Sequence, residues 1–176
     1  VVGCSRTDSG VHANMFCCNM RTEKTLEPEK FVKSLNAVLP EDISVTSCGE
    51  VPYTFHARYD CVSKEYKYLV LNSKARNPFY RGRALYYPFI IDVDMINKEA
   101  QSFVGTYDFT SFCASNSSAE DKVRTIKNIS VSRSGDIVEF KVEADGFLYN
   151  MVRIIVGTLL DINSGKICKG KLGAVI

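Results

Sequence analysis

Apolar and polar residues alternate with a period of two along several stretches of the 176-residue chain, which predicts strands that place one face on a core. The alternation is clearest at 136–144, and Ser134 and Gly135 just before it predict a hairpin turn. The mostly apolar stretch 11–20 is expected to be a buried strand, and 43–51 is also expected to be a strand. The other predicted strands cover 61–72, 84–87 and 125–133.

Three further stretches repeat apolar residues at helical spacing. The first helix is predicted to begin around Pro28, with acidic residues at its positive end, and to end before Pro40. The second is predicted at 93–103, after the capping residue Asp92. The third, at 147–163, is apolar on nearly every side, which indicates a buried helix. The mixture of strands and helices predicts an α+β protein with a mixed sheet.

Composition adds few constraints. The apolar fraction of 45% and charged fraction of 24% are typical of a globular domain, and no apolar run approaches the ~20 residues of a membrane span. We therefore expect a cytoplasmic protein without a membrane partner.

Seven cysteines without a C-x-x-C pair indicate neither a disulfide framework nor a zinc site, and most are expected to be small core residues. The net charge of +2 favours a polyanion partner only where basic residues cluster.

Candidate chemistry begins at residues 5–13, SRTDSGVHA, where Gly10 and the polar residues predict a tight loop around Asp8. An Asp in such a turn is often only a solvated or capping residue. His12 could be a general base or the partner of a cysteine, but its place just inside the predicted strand favours a structural role for this histidine. A second candidate is Arg153 within the apolar third helix, because a buried guanidinium needs a partner. Asp8 is its simplest partner; solvent, Asp145 and Asp161 are the alternatives.

Two basic or aromatic clusters suit nucleic acid. Alternation in the strand 61–72 places Lys64, Tyr66 and Tyr68 on one face, as a stacking platform for a base and its phosphate or as ordinary half-buried packing. The loop around Asn77 carries basic residues that either follow a phosphate backbone or form a solvated face. These residues are Lys74, Arg76, Arg81 and Arg83.

Three stretches in this order resemble the tRNA pseudouridine synthase A family. They are the RTD-x-GVHA run at 6–13, FHARYDCVSKEYKY at 55–68 and FLYNMVRIIVGTLL at 147–160. The resemblance covers nearly the whole chain. It implies an isomerase that breaks the N-glycosidic bond of a uridine, turns the uracil and rejoins C5 to C1′, with attack at C1′ or at the ring. Its substrate would be the tRNA anticodon stem-loop, and no cofactor or metal is implied.

The resemblance also implies a role for individual residues. Asp8 would be the nucleophile, Arg153 the cation that pairs with it, and Tyr66 the residue that stacks on the uracil. Arg6 would hold the target nucleotide or fill its place once the base is flipped out. Arg58 and Lys64 would be further substrate-binding residues.

The implied fold has two ferredoxin-like or RRM-like α+β halves, 1–72 and 73–176, that form one broad antiparallel sheet flanked by helices around a central basic cleft. The family also has a strand and helix before the signature loop and a closing strand after the last helix, so we expect this chain to be truncated at both ends. The enzyme would act as a homodimer on tRNA.

Two other function classes fit the residues less well. A non-catalytic RNA-binding module would use Tyr66 and Tyr68 and would not need Asp8. A glycosidase with an aspartate nucleophile normally requires a second carboxylate as its acid, and no such motif stands out.

Overall fold

The computed structural model describes residues 1–174, so the last two positions of the predicted second half lie outside the described residues. These residues form two compact units, Val1–Cys61 and Val62–Ile176. No helix in the described part of the chain is long and apolar enough to cross a bilayer.

The first unit has little regular structure. It contains strand β1 (Val2–Gly3), which pairs antiparallel with β2 (Cys18–Asn19), and helix α1 (Pro28–Asn36). The helix confirms the prediction and begins with Pro28 in its first turn.

Both strands predicted in this unit are largely wrong. Only Cys18 and Asn19 of 11–20 lie in a strand, that segment is exposed rather than buried, and 43–51 contains no strand. Within residues 1–61 only Ala57 is buried, so neither apolar segment has a core to pack against. The apolar residues of these segments are therefore not enough to make a strand, because a strand needs a partner and a face to bury.

The second unit is built on a five-stranded sheet in the order β4-β3-β7-β6-β5. All neighbouring strands are antiparallel except β3 and β4, which are parallel. The long connection 72–84 between these two strands allows the parallel pairing, and β4 lies at the sheet edge. The strands are β3 (Lys64–Leu71), β4 (Leu85–Tyr86), β5 (Gly105–Asp108), β6 (Val123–Ser134) and β7 (Ile137–Ala144).

Helices α2 (Val93–Ala100) and α3 (Met151–Asn163) cover one face of this sheet. The predicted alternation of β7 is confirmed, since Val138, Phe140 and Val142 are fully buried beneath the helices. Asp92 begins α2 as predicted, with its carboxylate accepting the Met95 N–H at 3.0 Å. Three short 3₁₀ turns complete the described elements of this unit before α3, at Pro78–Tyr80, Gln101–Phe103 and Thr110–Phe112, and a fourth follows at Leu172–Ala174.

The other face of the sheet is polar. Lys141 of β7 pairs with Glu65 of β3 at 2.8 Å, and Lys67 pairs with Glu139 at 3.3 Å. The hydrogen bond from Lys141 to Glu65 and the charge of that carboxylate raise the lysine's pKa. This face is therefore stabilised by cross-strand pairs of opposite charge.

The α+β class is confirmed, with three differences in detail. The described strands form two separate sheets rather than one broad antiparallel sheet, because the first unit supplies only the β1–β2 pair. The predicted halves meet at residue 72, whereas β3 pairs with β7 and lies in the second unit. None of the seven cysteines is buried, so they are not the predicted core residues.

Candidate active site

The signature loop is held by a turn at Asp8. The N–H of Val11 donates to the Asp8 carbonyl at 3.2 Å, and Gly10 has φ +79°. Since Ser9 keeps a negative φ, this is a type II turn, which requires a residue with positive φ at its third position. The loop predicted around Asp8 is confirmed, and glycine at position 10 follows from its geometry.

The turn leaves the Asp8 side chain exposed. Within residues 1–61 the one ion pair joins Lys30 to Glu27, so the Asp8 carboxylate has no charged partner in its own unit. Arg6 and His12 are exposed as well. The loop therefore exposes the Asp8 carboxylate and the Arg6 guanidinium, and neither group is held by an ion pair within this unit.

Asn19 fixes a second loop beside the base of the signature loop. Its side-chain oxygen accepts the Ala57 N–H at 2.9 Å, and its amide donates to the Phe55 carbonyl at 3.4 Å. These bonds tie the FHAR loop to strand β2, and Ala57 is buried there while Arg58 is exposed. Sequence reasoning missed Asn19, and its only signal was an amide within a run of apolar residues.

Tyr66 lies on the helix-covered face of β3. It is opposite Val142 in the sheet, and Lys64 is opposite Ala144, so the two share one face as predicted. The Tyr66 ring is half-buried and meets Phe147 edge to face, with centroids 4.9 Å apart. Tyr68 farther along packs against the core. The ring of Tyr66 is thus held by Phe147, which sequence reasoning gave no role.

Arg153 is not buried as predicted, because its side chain is exposed. Arg153 and Gly157 are four residues apart and share an uncovered face of α3, while Ile155 and Leu159 fill the core. The space where a Cβ of Gly157 would stand is open, so this glycine is not required by the close approach of another described backbone. Of the alternatives considered for Arg153 within the second unit, the structure favours solvent.

The two acidic alternatives are engaged elsewhere. Asp161 pairs with Lys166 at 2.9 Å, and Asp145 accepts the Thr125 N–H at 3.1 Å.

The predicted helix begins four residues later than expected, at Met151, because Asn150 before it has φ +60°. Arg153 therefore lies in the first turn of α3 and has no charged partner among residues 62–174.

The predicted residues fall into two sets. Arg6, Asp8 and Arg58 belong to the first unit, and Lys64, Tyr66 and Arg153 to the second. Pairing between Asp8 and Arg153, and a basic cleft between the halves, stay predictions. The surface also has cavities of about 340 and 490 Å³, lined by residues of α1 and by residues around Phe89, and no predicted site residue lines either.

A model of the family described as tRNA pseudouridine synthase matches residues 1–60 and 100–176. The tRNA pseudouridine synthase A of Caldicellulosiruptor bescii is 42% identical over 167 residues, which are 95% of this chain and 68% of that protein. The enzyme of the same name from Bacillus pumilus is 43% identical over 176 residues, covering all of this chain and 71% of the relative. That of Clostridium acetobutylicum is 44% identical over 167 residues, 95% of this chain and 68% of the relative.

The α+β fold and the exposed aspartate in the signature turn agree with the class of isomerases that the motifs imply. The chain belongs to the tRNA pseudouridine synthase family.

Proposed function

We propose that this chain converts uridine in tRNA to pseudouridine and that Asp8 is the nucleophile. The observation that carries the proposal is the type II turn, which holds Asp8 exposed within the family's signature run. A nucleophilic carboxylate must reach the substrate, and one engaged in internal hydrogen bonds would first have to break them. Membership in the family supports the reaction.

In this mechanism the Asp8 carboxylate attacks the ribose C1′ or the uracil ring, and the bond between N1 and C1′ breaks. The detached uracil turns while it is stacked on Tyr66, whose own ring is fixed by Phe147. A bond then forms between C5 and C1′, the bond between the Asp8 carboxylate and C1′ or the ring breaks and frees the carboxylate, the C5 proton leaves to solvent and N1 takes up a proton. Stacking matters because the base is covalently free of the ribose during the turn.

The exposed guanidinium of Arg153 would pair with Asp8 and fix the position of its carboxylate. The proposal is supported by the resemblance and by charge, since each group lacks a charged partner within its own unit. Arg6, Arg58 and Lys64 would bind the nucleotide and its phosphates, as three cations that face away from the buried core or lie at its border.

The enzyme would further act as a cytoplasmic homodimer on uridines of the anticodon stem-loop. The support is the resemblance of the three motifs to the tRNA pseudouridine synthase A family. Sedimentation with and without tRNA measures the subunit number. A single subunit, both alone and in complex with tRNA, would contradict the dimer but would not contradict the proposed reaction.

The direct test of activity is tritium release from unmodified tRNA that carries C5-tritiated uridine. We expect one tritium per converted uridine, and chemical mapping of pseudouridine should place it in the anticodon stem-loop. Tight binding of tRNA without any release would favour the non-catalytic RNA-binding module instead.

A further inference from the structure

We propose that the connection 72–84 between β3 and β4 is a second contact surface for the RNA backbone, with Phe79 as a stacking group at its tip. The inference rests on the proposed function in that the RNA is taken to be the tRNA substrate. It adds a surface outside the proposed catalytic residues, in a stretch that the family model leaves unmatched.

The charge of this stretch differs from that of the rest of the chain. Between Glu65 and Asp92 there is no acidic residue, although the chain has 20 of them. The connection itself carries four exposed basic side chains, which are Lys74, Arg76, Arg81 and Arg83. Such one-sided clustering produces a local positive potential that the net charge of +2 does not reveal.

These basic residues are also unpaired. Elsewhere in the second unit Lys67, Lys141 and Lys166 each face a carboxylate within 3.3 Å. None of the four cations in the connection forms an ion pair with another residue of 62–174. Their charges therefore remain available to phosphates, and counterions released on binding would drive association.

The connection 72–84 is ordered by hydrogen bonds and by a contact between a guanidinium and an aromatic ring. Asn77 caps the 3₁₀ turn Pro78–Tyr80 by accepting the Phe79 N–H at 3.1 Å. The Tyr86 hydroxyl donates to the Lys74 carbonyl at 3.0 Å, and the Arg76 guanidinium lies 5.4 Å from the Tyr86 ring centroid. A preorganised loop loses less conformational entropy when it binds.

This ordered turn leaves Phe79 88% exposed. A large aromatic ring held in water between cations is the arrangement that binds unpaired bases by stacking. A protein partner fits less well because each of the four cations would need a carboxylate on that partner, since burying a charge without a partner is costly. A second copy meeting through the same surface would bring eight like charges together, since each copy supplies the four cations.

The connection begins where β3 ends, five residues beyond Tyr66. At ~3.3 Å per residue, the two lie roughly 17 Å apart along the strand. An RNA whose target base stacks on Tyr66 must therefore extend well beyond that base to reach the connection. The surface should strengthen the binding of a folded RNA without taking part in bond making.

The test compares Arg81→Gln/Arg83→Gln with wild type in binding unmodified tRNA transcript at several KCl concentrations. The slope of log K against log salt is negative, and loss of two phosphate contacts should reduce its magnitude by about 1.4–1.8. The smaller value applies to single strands. In tritium release, kcat/KM should fall through a higher KM. Lys30→Gln/Lys166→Gln removes two charges that are already paired and should leave the slope unchanged.

A second series isolates stacking. Phe79→Ala should weaken tRNA binding about fivefold or more, Phe79→Tyr should bind as wild type, and Phe79→Leu should behave as alanine because leucine has no aromatic face. Wild-type affinity and salt slope in Arg81→Gln/Arg83→Gln would overturn the proposal, as would a changed subunit number with unchanged RNA binding. If wild type bound tRNA through this surface but released no tritium, the proposed function would fail while this surface stood.

Discussion

At the scale of single residues, the site depends on how the backbone presents a few side chains. Asp8 is presented by a turn that Gly10 makes possible, and Tyr66 by an edge contact with Phe147. The sequence was sufficient to predict the loop at Asp8 and the strand face of Tyr66, because one lies in a polar run with glycine and the other alternates along a strand; their roles in the reaction stay predictions. It did not reveal their supports, which depend on contacts between distant residues.

Arg153 shows where residue-level reasoning failed. The composition of the third helix indicated burial on all sides, yet Arg153 and Gly157 occupy one uncovered face. Their spacing of four, continued by Asp161, was the available signal, because residues four apart share a helix face. Counting apolar residues along the helix concealed this polar stripe.

Gly10→Ala should lower kcat while tRNA binding persists. Alanine at φ +79° is strained by about 1–2 kcal/mol, and relief of that strain would move Asp8. The matched control is Gly135→Ala in the β6–β7 turn, where φ is +56° and the stability cost should be similar. Equal effects of the two substitutions on tritium release would mean that the turn at Asp8 has no special part in the chemistry.

Tyr66→Ala should reduce kcat/KM by at least the value of one base stack, ~1–3 kcal/mol of transition-state stabilisation. Tyr66→Phe keeps the ring and its contact with Phe147, so it should retain the stacking part. Steady-state tritium release measures both. If phenylalanine were as damaging as alanine, the hydroxyl rather than the ring would be the important group.

Arg153→Met should lower kcat far more than it changes stability. A buried pair would cost ~3–5 kcal/mol to break, but an exposed arginine is expected to contribute less than about 1 kcal/mol. Arg153→Lys keeps the charge and should recover part of kcat. A raised KM at unchanged kcat would indicate a phosphate contact in place of the pair with Asp8.

At the scale of elements, the second unit was largely predictable and the first was not. The alternation of β7 and the capped start of α2 each report an environment with one buried face, so pattern and structure agree. The stretches 11–20 and 43–51 were also predicted to be strands, yet of these residues only Cys18 and Asn19 pair with another strand. Pattern alone cannot show whether such a partner exists.

Asp92→Ala should destabilise the protein by about 1 kcal/mol, because it removes the acceptor for the Met95 N–H at the start of α2. Asp92→Asn is the matched control, since asparagine is an equally good N-cap and should cost only a few tenths of that. Chemical denaturation followed by circular dichroism gives both values. Equal losses would show that the charge near the helix dipole, rather than the cap, is the stabilising feature.

At the scale of the whole molecule, the two units carry complementary parts. The unit 1–61 holds the exposed carboxylate of Asp8, and the unit 62–176 holds the core, Tyr66 and the exposed cation Arg153. Neither set holds all of the proposed groups, because the first lacks the proposed stacking ring and the second lacks the proposed nucleophile. Under the proposed mechanism, both units must therefore act on one uridine.

The measurement that tests the central claim most directly is tritium release from C5-tritiated tRNA by Asp8→Asn, beside wild type and with tRNA affinity measured on the same preparations. The substitution removes one charge and keeps the size of the side chain, so the basic contacts with phosphate and the turn at Gly10 should persist. We predict wild-type affinity with no release above background. Release at a wild-type rate by this variant would contradict the assignment of Asp8 as the nucleophile.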